Sequence, residues 1–362
     1  MNQNKRKSKL KNILFLTIFI LTISGLLAFG IIEAAKDVLG IKSEDIHSEV
    51  TIPKGASTGK IANILKENKI IKFPSVFKIY SKVKKSDNTY REGTYNLNSK
   101  MSYEDIIYSF QSMTKRTDVV RVTIPEGFTV NQIAKLLKES GVLETKQEFI
   151  DEINKKEYTS ESLKSVEDNE LICFKAEGYL FPDTYDIVIN EKPKYIIEMM
   201  LKNFDKKVFN KLKTEINKSD LKLNDIITLA SIVQKESTNF EVMKKVASVF
   251  FNRLNNPSTY PRLQSDVTIL YVESDIKPNL EMKNQKMYDS YNTYERKGLP
   301  VGPICNPGLE SIQAVLTPDK TDYNYFLTDS ENNYYWAQTL SEHNNNLYKA
   351  SQTGSVRGLD TE

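Results

Sequence analysis

The chain has 362 residues, with 50 lysines and arginines against 47 aspartates and glutamates, for a formal net charge of +3. Five basic residues lie before residue 12, so the remaining 45 basic and 47 acidic residues leave the rest nearly neutral. This balance argues against a nucleic-acid-binding surface. The chain has only two histidines and two cysteines, which argues against a two-histidine zinc site, a Ser-His-Asp triad and a disulfide-rich scaffold. We therefore expect neither a metal nor a cofactor.

An uncharged apolar run extends from Ile13 to Ile32, which is the length of roughly 20 residues that a helix needs to cross a bilayer. By the positive-inside rule, the basic tail at residues 1–12 predicts a cytoplasmic N-terminus and an extracytoplasmic remainder. A cleaved signal peptide is the alternative, but its apolar region usually has only about 7–15 residues. We expect a single-pass membrane anchor over 13–32, followed by a stalk at residues 33–47.

An internal repeat follows the stalk, at a spacing of 72 residues. Residues 50–55 (VTIPKG) align with residues 122–127 (VTIPEG), and the match continues into the segments that follow. Each copy predicts a short strand, a Pro/Gly turn and an amphipathic helix. Two copies are too few for a solenoid. Residues 48–145 are therefore interpreted as a compact α+β region, either purely structural or carbohydrate-binding.

Between the copies, residues 91–95 are typical of a strand, and Ser102 with Asp105 predicts a capping box that opens a helix. Residues 146–170 are polar and indicate a hinge. From residue 171 to 350 the composition shifts to aromatic residues and Pro/Gly loops, which favours the placement of a catalytic cleft there. Residues 351–362 are interpreted as a tail. The sequence leaves open whether Cys173 and Cys305 form a disulfide.

The first candidate catalytic residue is Glu236. The pattern predicts a helix capped by Asn224, with Leu229 and Val233 on its buried stripe, and Glu236 continues that stripe. Burial raises the pKa of a carboxyl group, as a general acid at neutral pH requires. The alternative is an ordinary solvated glutamate near a helix end.

Further polar and aromatic residues could line a cleft. The candidates for binding a substrate are Glu177, Gln264, Ser265, Asp266, Tyr291, Asn292 and Tyr294. Gly and Pro in residues 298–303 indicate a stiffened loop suited to backbone contact with a ligand. Each of these segments could also be core packing or a surface turn.

Several ordered segments resemble the endolytic murein transglycosylases, the YceG-like family. They are LASIVQKE at 229–236, VASVF at 246–250, NRL at 252–254, EG at 177–178, PDTY at 182–185, LQSD at 263–266, YNTY at 291–294 and GLPVGPI at 298–304. The resemblance covers nearly all of the chain after the apolar run. Many family members have a second glutamate where this chain has Gln234.

The resemblance implies an N-terminal membrane helix, a LysM-like region and a mainly helical transglycosylase domain with small β elements. It implies that Glu236 is the catalytic acid and base on peptidoglycan glycan strands, and that the products carry 1,6-anhydro-MurNAc ends. It also suggests termination of strand elongation, with penicillin-binding protein synthases as partners.

Two other functions stay open. A muramidase-type hydrolase would need a second carboxylate, for which Asp266 and Glu177 are the candidates. A noncatalytic scaffold would bind peptidoglycan through the repeat region. Product analysis and the Glu236→Gln substitution distinguish these functions.

Overall fold

The computed structural model describes residues 3–87, 89–112, 117–155, 158–280 and 282–353. Its contacts divide the chain into two compact units, Met1–Val120 and Arg121–Glu362. The described residues combine helices with three two-stranded sheets, so the fold is α+β, as the sequence predicts. Most of the predicted tail, from residue 354 onward, lies outside the described residues, as do residues 1 and 2 of the predicted N-terminal tail.

Unit 1 contains an N-terminal helix and a small α+β core. Its elements are α1 (Gln3–Val38), β1 (His47–Ile52), α2 (Thr58–Glu67), α3 (Pro74–Val83), β2 (Gly93–Asn98) and α4 (Tyr103–Gln111). Strands β1 and β2 pair antiparallel, with Val50 opposite Tyr95. Both of these side chains are buried in a core that also holds Phe77 and Phe110.

The N-terminal helix includes a stretch, Phe15–Val38, that is long and apolar enough by length and composition to cross a membrane. The helix continues into the segment predicted as a stalk, and there Asp37 is buried. Its carboxylate accepts hydrogen bonds from the backbone of Lys72 and from the hydroxyl of Tyr103. Gly40 packs so closely on the backbone of Lys100 that no side chain would fit. The stalk is thus part of unit 1.

Both copies of the repeat form the predicted strand, turn and helix. In the first copy, Ser57 caps α2 by accepting a hydrogen bond from the Lys60 backbone. In the second, Thr129 and Gln132 form a capping box. The predicted capping box at Ser102 is also confirmed. The first copy belongs to unit 1, and the helix of the second belongs to unit 2.

Unit 2 is mainly helical. Strand β3 (Val119–Thr123) enters it, and its other elements are α5 (Val130–Glu139), α6 (Gln147–Ile153), α7 (Glu161–Lys164), β4 (Thr184–Val188), α8 (Pro193–Phe204), α9 (Lys213–Lys218), α10 (Leu223–Glu236), α11 (Phe240–Leu254), α12 (Asp266–Tyr271), α13 (Gln285–Tyr291), α14 (Leu309–Leu316), β5 (Tyr325–Thr328), β6 (Tyr334–Ala337) and α15 (Leu340–Thr353). Strand β3 pairs with β4, and β5 pairs antiparallel with β6.

Helix α10 is the centre of unit 2, because it packs against both α11 and α14. Its residues from Ile226 to Gln234 are all buried, so the helix has no solvent-exposed face over that stretch. The prediction that Asn224 caps this helix is wrong, since the cap position is Lys222. The Asn224 side chain instead accepts a hydrogen bond from the hydroxyl of Tyr179, a partner that only tertiary packing supplies.

The two cysteines are buried and free of a disulfide. Burial raises the pKa of the Cys173 thiol to about 12. The Cys305 thiol donates to the backbone carbonyl of Ser231, 3.3 Å away.

Candidate active site

Helix α10 ends at Glu236, whose side chain is half-buried at the C-terminal end of a buried helix. The hydroxyl of Ser265 donates a hydrogen bond of 2.7 Å to Oε1 of Glu236. The hydroxyl of Tyr334, on β6, donates to the backbone carbonyl of the same residue over 2.7 Å. Both the backbone and the carboxyl group of Glu236 are therefore held in place.

Ser265 is positioned by the threonines around it. Its backbone N–H donates to the Thr293 hydroxyl over 2.9 Å, and its carbonyl accepts from the Thr268 hydroxyl over 2.7 Å. The preceding residue, Gln264, has a φ of 55°, in the left-handed region that non-glycine residues seldom adopt. The Ser265 side chain points to the end of α10, and the Gln264 side chain points to Arg253 near the end of α11.

Asp266 begins α12 and accepts a hydrogen bond of 2.6 Å from the hydroxyl of Tyr294. Burial, followed by the hydrogen bond to Asp266, raises the pKa of Tyr294 above its usual value, so the phenol stays a donor. A second carboxyl group thus directly follows Ser265, the residue that positions Glu236.

These side chains line one cleft, with a volume of about 410 Å³. Of the predicted site residues, the structure brings together Glu236, Gln264, Ser265, Asp266 and Tyr294. The remaining wall includes apolar side chains such as Leu270, Phe326 and Leu340. A cleft with a few polar groups on an apolar wall is the usual form of a small-molecule or glycan site.

Glu177 lies away from the cleft lining and is only 1% exposed. Its carboxyl group accepts hydrogen bonds from the Val130 backbone, the Tyr271 hydroxyl and the Asn306 side chain. Burial raises the pKa of this carboxyl group to about 8. The geometry assigns Glu177 to internal cross-linking of unit 2, since a side chain so buried cannot contact a substrate.

Tyr291 and Asn292 also lie outside the cleft lining. Tyr291 is fully buried, and its hydroxyl accepts a 3.4 Å hydrogen bond from the Cys173 backbone. Asn292 caps the C-terminal end of α13, and its side chain accepts from the Tyr294 backbone over 2.9 Å. Asn292 thus supports Tyr294, which does reach the cleft, whereas Tyr291 packs on Tyr271 inside unit 2.

Arg253 and His343 also line the cleft, although neither is among the sequence-based candidates. Arg253 lies in the last turn of α11, and one of its guanidinium nitrogens, Nη2, donates to Oε1 of Gln264. Burial lowers the pKa of Arg253. The guanidinium group nevertheless stays cationic, because the ordinary pKa of an arginine side chain is far above neutral pH. His343 stacks on Tyr325 with ring centroids 5.2 Å apart. Its pKa is lowered mainly by burial and to a smaller extent by the positive charge of Arg253. The NRL segment was the only signal for Arg253.

Comparison with known proteins gives the family. A family model described as the YceG-like family matches residues 50–349. The chain belongs to the YceG-like family. A curated YceG-like relative, the endolytic murein transglycosylase of Bacillus subtilis (strain 168), is 35% identical over 304 residues, which cover 82% of each chain. The endolytic murein transglycosylase of Streptococcus pneumoniae (strain D39) is 30% identical over 324 residues. That match covers 82% of this chain but 57% of the streptococcal one.

The YceG-like fold is also found in a crystal structure. A YceG-like protein from Listeria monocytogenes is 32% identical, with a TM-score of 0.55, and the match covers 83% of this chain and 98% of that chain.

Proposed function

We propose that this chain is an endolytic murein transglycosylase, a lyase that cleaves peptidoglycan glycan strands. One observation carries the proposal: the carboxyl group of Glu236 is half-buried in a cleft of about 410 Å³ and oriented by Ser265. The names of the relatives from Bacillus and Streptococcus support the same activity. Most glycosidases need two carboxyl groups, whereas a lytic transglycosylase needs one.

In the proposed reaction, the protonated carboxyl group of Glu236 donates its proton to the oxygen of a MurNAc-β-1,4-GlcNAc bond. The bond between that oxygen and MurNAc C1 breaks, and the substrate's 2-acetamido group stabilises the cationic carbon. The Glu236 carboxylate then accepts the proton of the MurNAc C6 hydroxyl, whose oxygen bonds to C1. The products are a free GlcNAc 4-hydroxyl and a 1,6-anhydro-MurNAc end, which terminates that strand.

The proposed substrate-binding residues are those that the cleft brings to Glu236. Gln264, Asp266 and Tyr294 offer donors and acceptors to sugar hydroxyl and acetamido groups. Asn292 acts through Tyr294, whose backbone N–H it binds. Tyr291 and Glu177 both contact Tyr271 and support the packing of unit 2.

One observation favours a second candidate function. Asp266 lines the same cleft as Glu236, so it could activate a water molecule and make the enzyme a muramidase. Glu177 is too buried to take that role.

Mass spectrometry of a peptidoglycan digest tests both functions. The full-length parent is expected to produce anhydro ends, whereas a muramidase would leave reducing MurNAc ends. Glu236→Gln removes the acid while keeping the shape, and its product yield should fall by at least about 100-fold. Glu295→Gln, an exposed position outside the cleft lining, is the matched control. A parent that cleaves nothing would favour the noncatalytic scaffold.

The proposed cellular arrangement is a single-pass protein of the cell membrane, anchored by α1, with a cytoplasmic N-terminus and an extracytoplasmic catalytic domain. We retain the division into a LysM-like region at 48–145, a hinge at 146–170 and a catalytic domain at 171–350 as a proposal. Protease added to intact protoplasts should digest residues beyond α1 and spare an N-terminal epitope tag. Penicillin-binding protein synthases are the proposed partners, to be identified by cross-linking in cells.

A further inference from the structure

Arg253 is buried in the wall of the cleft. The residue is 8% exposed, and the rings of Tyr260 and Tyr325 lie 5.4 and 5.5 Å from its guanidinium carbon. Within the described part of the chain, no carboxylate pairs with Arg253, and its Nε is buried without a hydrogen-bond partner. Burying a cation in this way is unfavourable for stability, and such a cost is typical of functional sites.

The contact of Arg253 with Gln264 decides which way the Gln264 amide points. A guanidinium group has donors only, so the amide must turn its oxygen toward Arg253 and its NH2 group away. Gln264 is exposed to the cleft, and among the described residues no acceptor pairs with its NH2 group. The side chain therefore presents an oriented, unused donor.

This donor lines the same cleft as the carboxyl group of Glu236. Gln264 directly precedes Ser265, whose hydroxyl binds Glu236. The left-handed backbone of Gln264, with φ 55°, places both side chains on the cleft, and the Gln264 N–H is tied to the Thr293 carbonyl over 3.2 Å. A strained backbone that is held at both ends is a common property of ligand-binding positions.

We propose that Arg253 is a positioning residue, which holds the Gln264 amide so that its NH2 group donates to an acetamido carbonyl oxygen of a sugar next to the cleaved bond. The inference rests on the proposed function, because every sugar of a peptidoglycan strand carries a 2-acetamido group. The acetamido group of the leaving GlcNAc takes no part in the bond changes, so a contact with it is made equally in the ground and transition states. Loss of the contact is therefore expected to raise KM and leave kcat nearly unchanged.

Binding of two neutral tetrasaccharides tests the proposal without catalysis. Tetra-N-acetylchitotetraose and cellotetraose differ at C2, where one has acetamido groups and the other hydroxyl groups. Their dissociation constants are measured by isothermal titration calorimetry with the full-length Glu236→Gln protein in detergent. This protein is expected to bind chitotetraose more tightly.

Gln264→Glu is the informative second substitution, since it keeps the shape and an oxygen for Arg253 but removes the donor. It should weaken chitotetraose binding by about 10-fold, because a hydrogen bond is lost and a carboxylate faces the carbonyl. Cellotetraose binding should change by less than about two-fold. Gln285→Glu, exposed on α13, is the matched control and should change neither.

Arg253→Met tests the positioning role. It frees the amide to turn, so it should weaken chitotetraose binding as much as Gln264→Glu does. The double variant should lose little more than either single variant, because both act on one contact. Arg253→Lys retains a donor and should recover part of the affinity. Arg262→Met, at an exposed arginine outside the cleft lining, is the control.

Three results would overturn the proposal. The Glu236→Gln protein could bind both tetrasaccharides with equal affinity, or the added Gln264→Glu substitution could leave chitotetraose binding unchanged. In the third result, that substitution would weaken the binding of both sugars equally. Product analysis tests the proposed reaction independently of the proposed role of Gln264 in binding. If the parent leaves no anhydro ends and still distinguishes the two sugars through Gln264, the reaction assignment fails and the binding assignment stands. If anhydro ends form but Gln264→Glu has no effect, the binding assignment alone fails.

Discussion

The hydroxyl of Ser265 and the carboxyl group of Glu236 are joined by a 2.7 Å hydrogen bond across 29 positions of sequence. Glu236 is the last residue of α10, whereas Ser265 directly precedes α12. Because Thr293 and Thr268 bind the backbone of Ser265, its hydroxyl stays fixed relative to the core. The orientation of the proposed acid is thus set by a loop rather than by its own helix.

Ser265→Ala should therefore slow glycan cleavage without unfolding the protein. The variant removes a hydrogen bond to the reacting carboxyl group, so we expect kcat to fall by about 10-fold. Initial rates on purified glycan strands measure the change. Ser258→Ala, an exposed serine in the loop after α11, should keep the parent rate. A Ser265→Ala variant with the parent rate would show that this bond does not orient the acid.

Both cysteines should be present as unreactive thiols. Cys173 is 8% exposed and Cys305 is fully buried, and burial raises the pKa of the Cys173 thiol to about 12. Thiolate is the reactive form, so neither side chain should react with maleimide in the folded protein. After denaturation without a reductant, mass spectrometry should show both thiols alkylated. An unlabelled denatured chain would indicate a disulfide.

Local signals predicted the elements of this fold well where neighbouring residues decide the structure. The repeat is the best example, since the Pro/Gly turns and the spacing of apolar residues in its helices act within a few residues. The capping box of Ser102 and Asp105 is equally local. Asn224 failed as a cap because its side chain has a distant partner, Tyr179.

In the candidate site, too, local signals were informative and contacts between distant residues could not be predicted. Helical phase placed Glu236 on a buried stripe, but α10 is buried on every side, so phase alone could not show that its end opens into a cleft. Glu177 was a candidate because its segment resembles the family, and only the folded chain shows its partners inside unit 2. Arg253 was missed because a lone arginine at a helix end indicates a solvated residue until the rings around it are known.

In unit 1, Asp37→Ala should destabilise the junction between α1 and the α+β core. The substitution leaves Lys42, whose Nζ lies 2.7 Å from the carboxylate, buried without its partner, and two backbone N–H groups lose their acceptor. We expect a loss of roughly 3 kcal/mol. Hydrogen exchange of the peptide that contains Lys72 and Phe73 measures it. Asp45→Ala, at an exposed ion pair, should cost less than about 0.5 kcal/mol. Equal protection in both variants would contradict the prediction.

Glu177 should make the stability of unit 2 depend on pH. Burial raises the pKa of its carboxyl group from 4.5 to about 8, so the fold favours the protonated form. The stabilisation is fully present below pH 4.5 and is lost as the pH rises toward and through 8. We expect the free energy of unfolding to fall by roughly 3 kcal/mol between pH 5 and 8 on account of this group alone.

Glu177→Gln should remove that pH dependence, because an amide keeps the neutral shape at every pH. With its oxygen in the place of Oε1, the amide can accept from the Val130 backbone and from Asn306, and its NH2 group can donate to the Tyr271 hydroxyl. The single tryptophan, Trp336, lies on β6, so its fluorescence during denaturant unfolding reports on the unit that contains Glu177. Glu215→Gln, at an exposed position of α9, should show the same dependence of the free energy of unfolding on pH as the parent. If the free energy of unfolding of Glu177→Gln still fell between pH 5 and 8 as steeply as that of the parent, another buried group would have to titrate in that range.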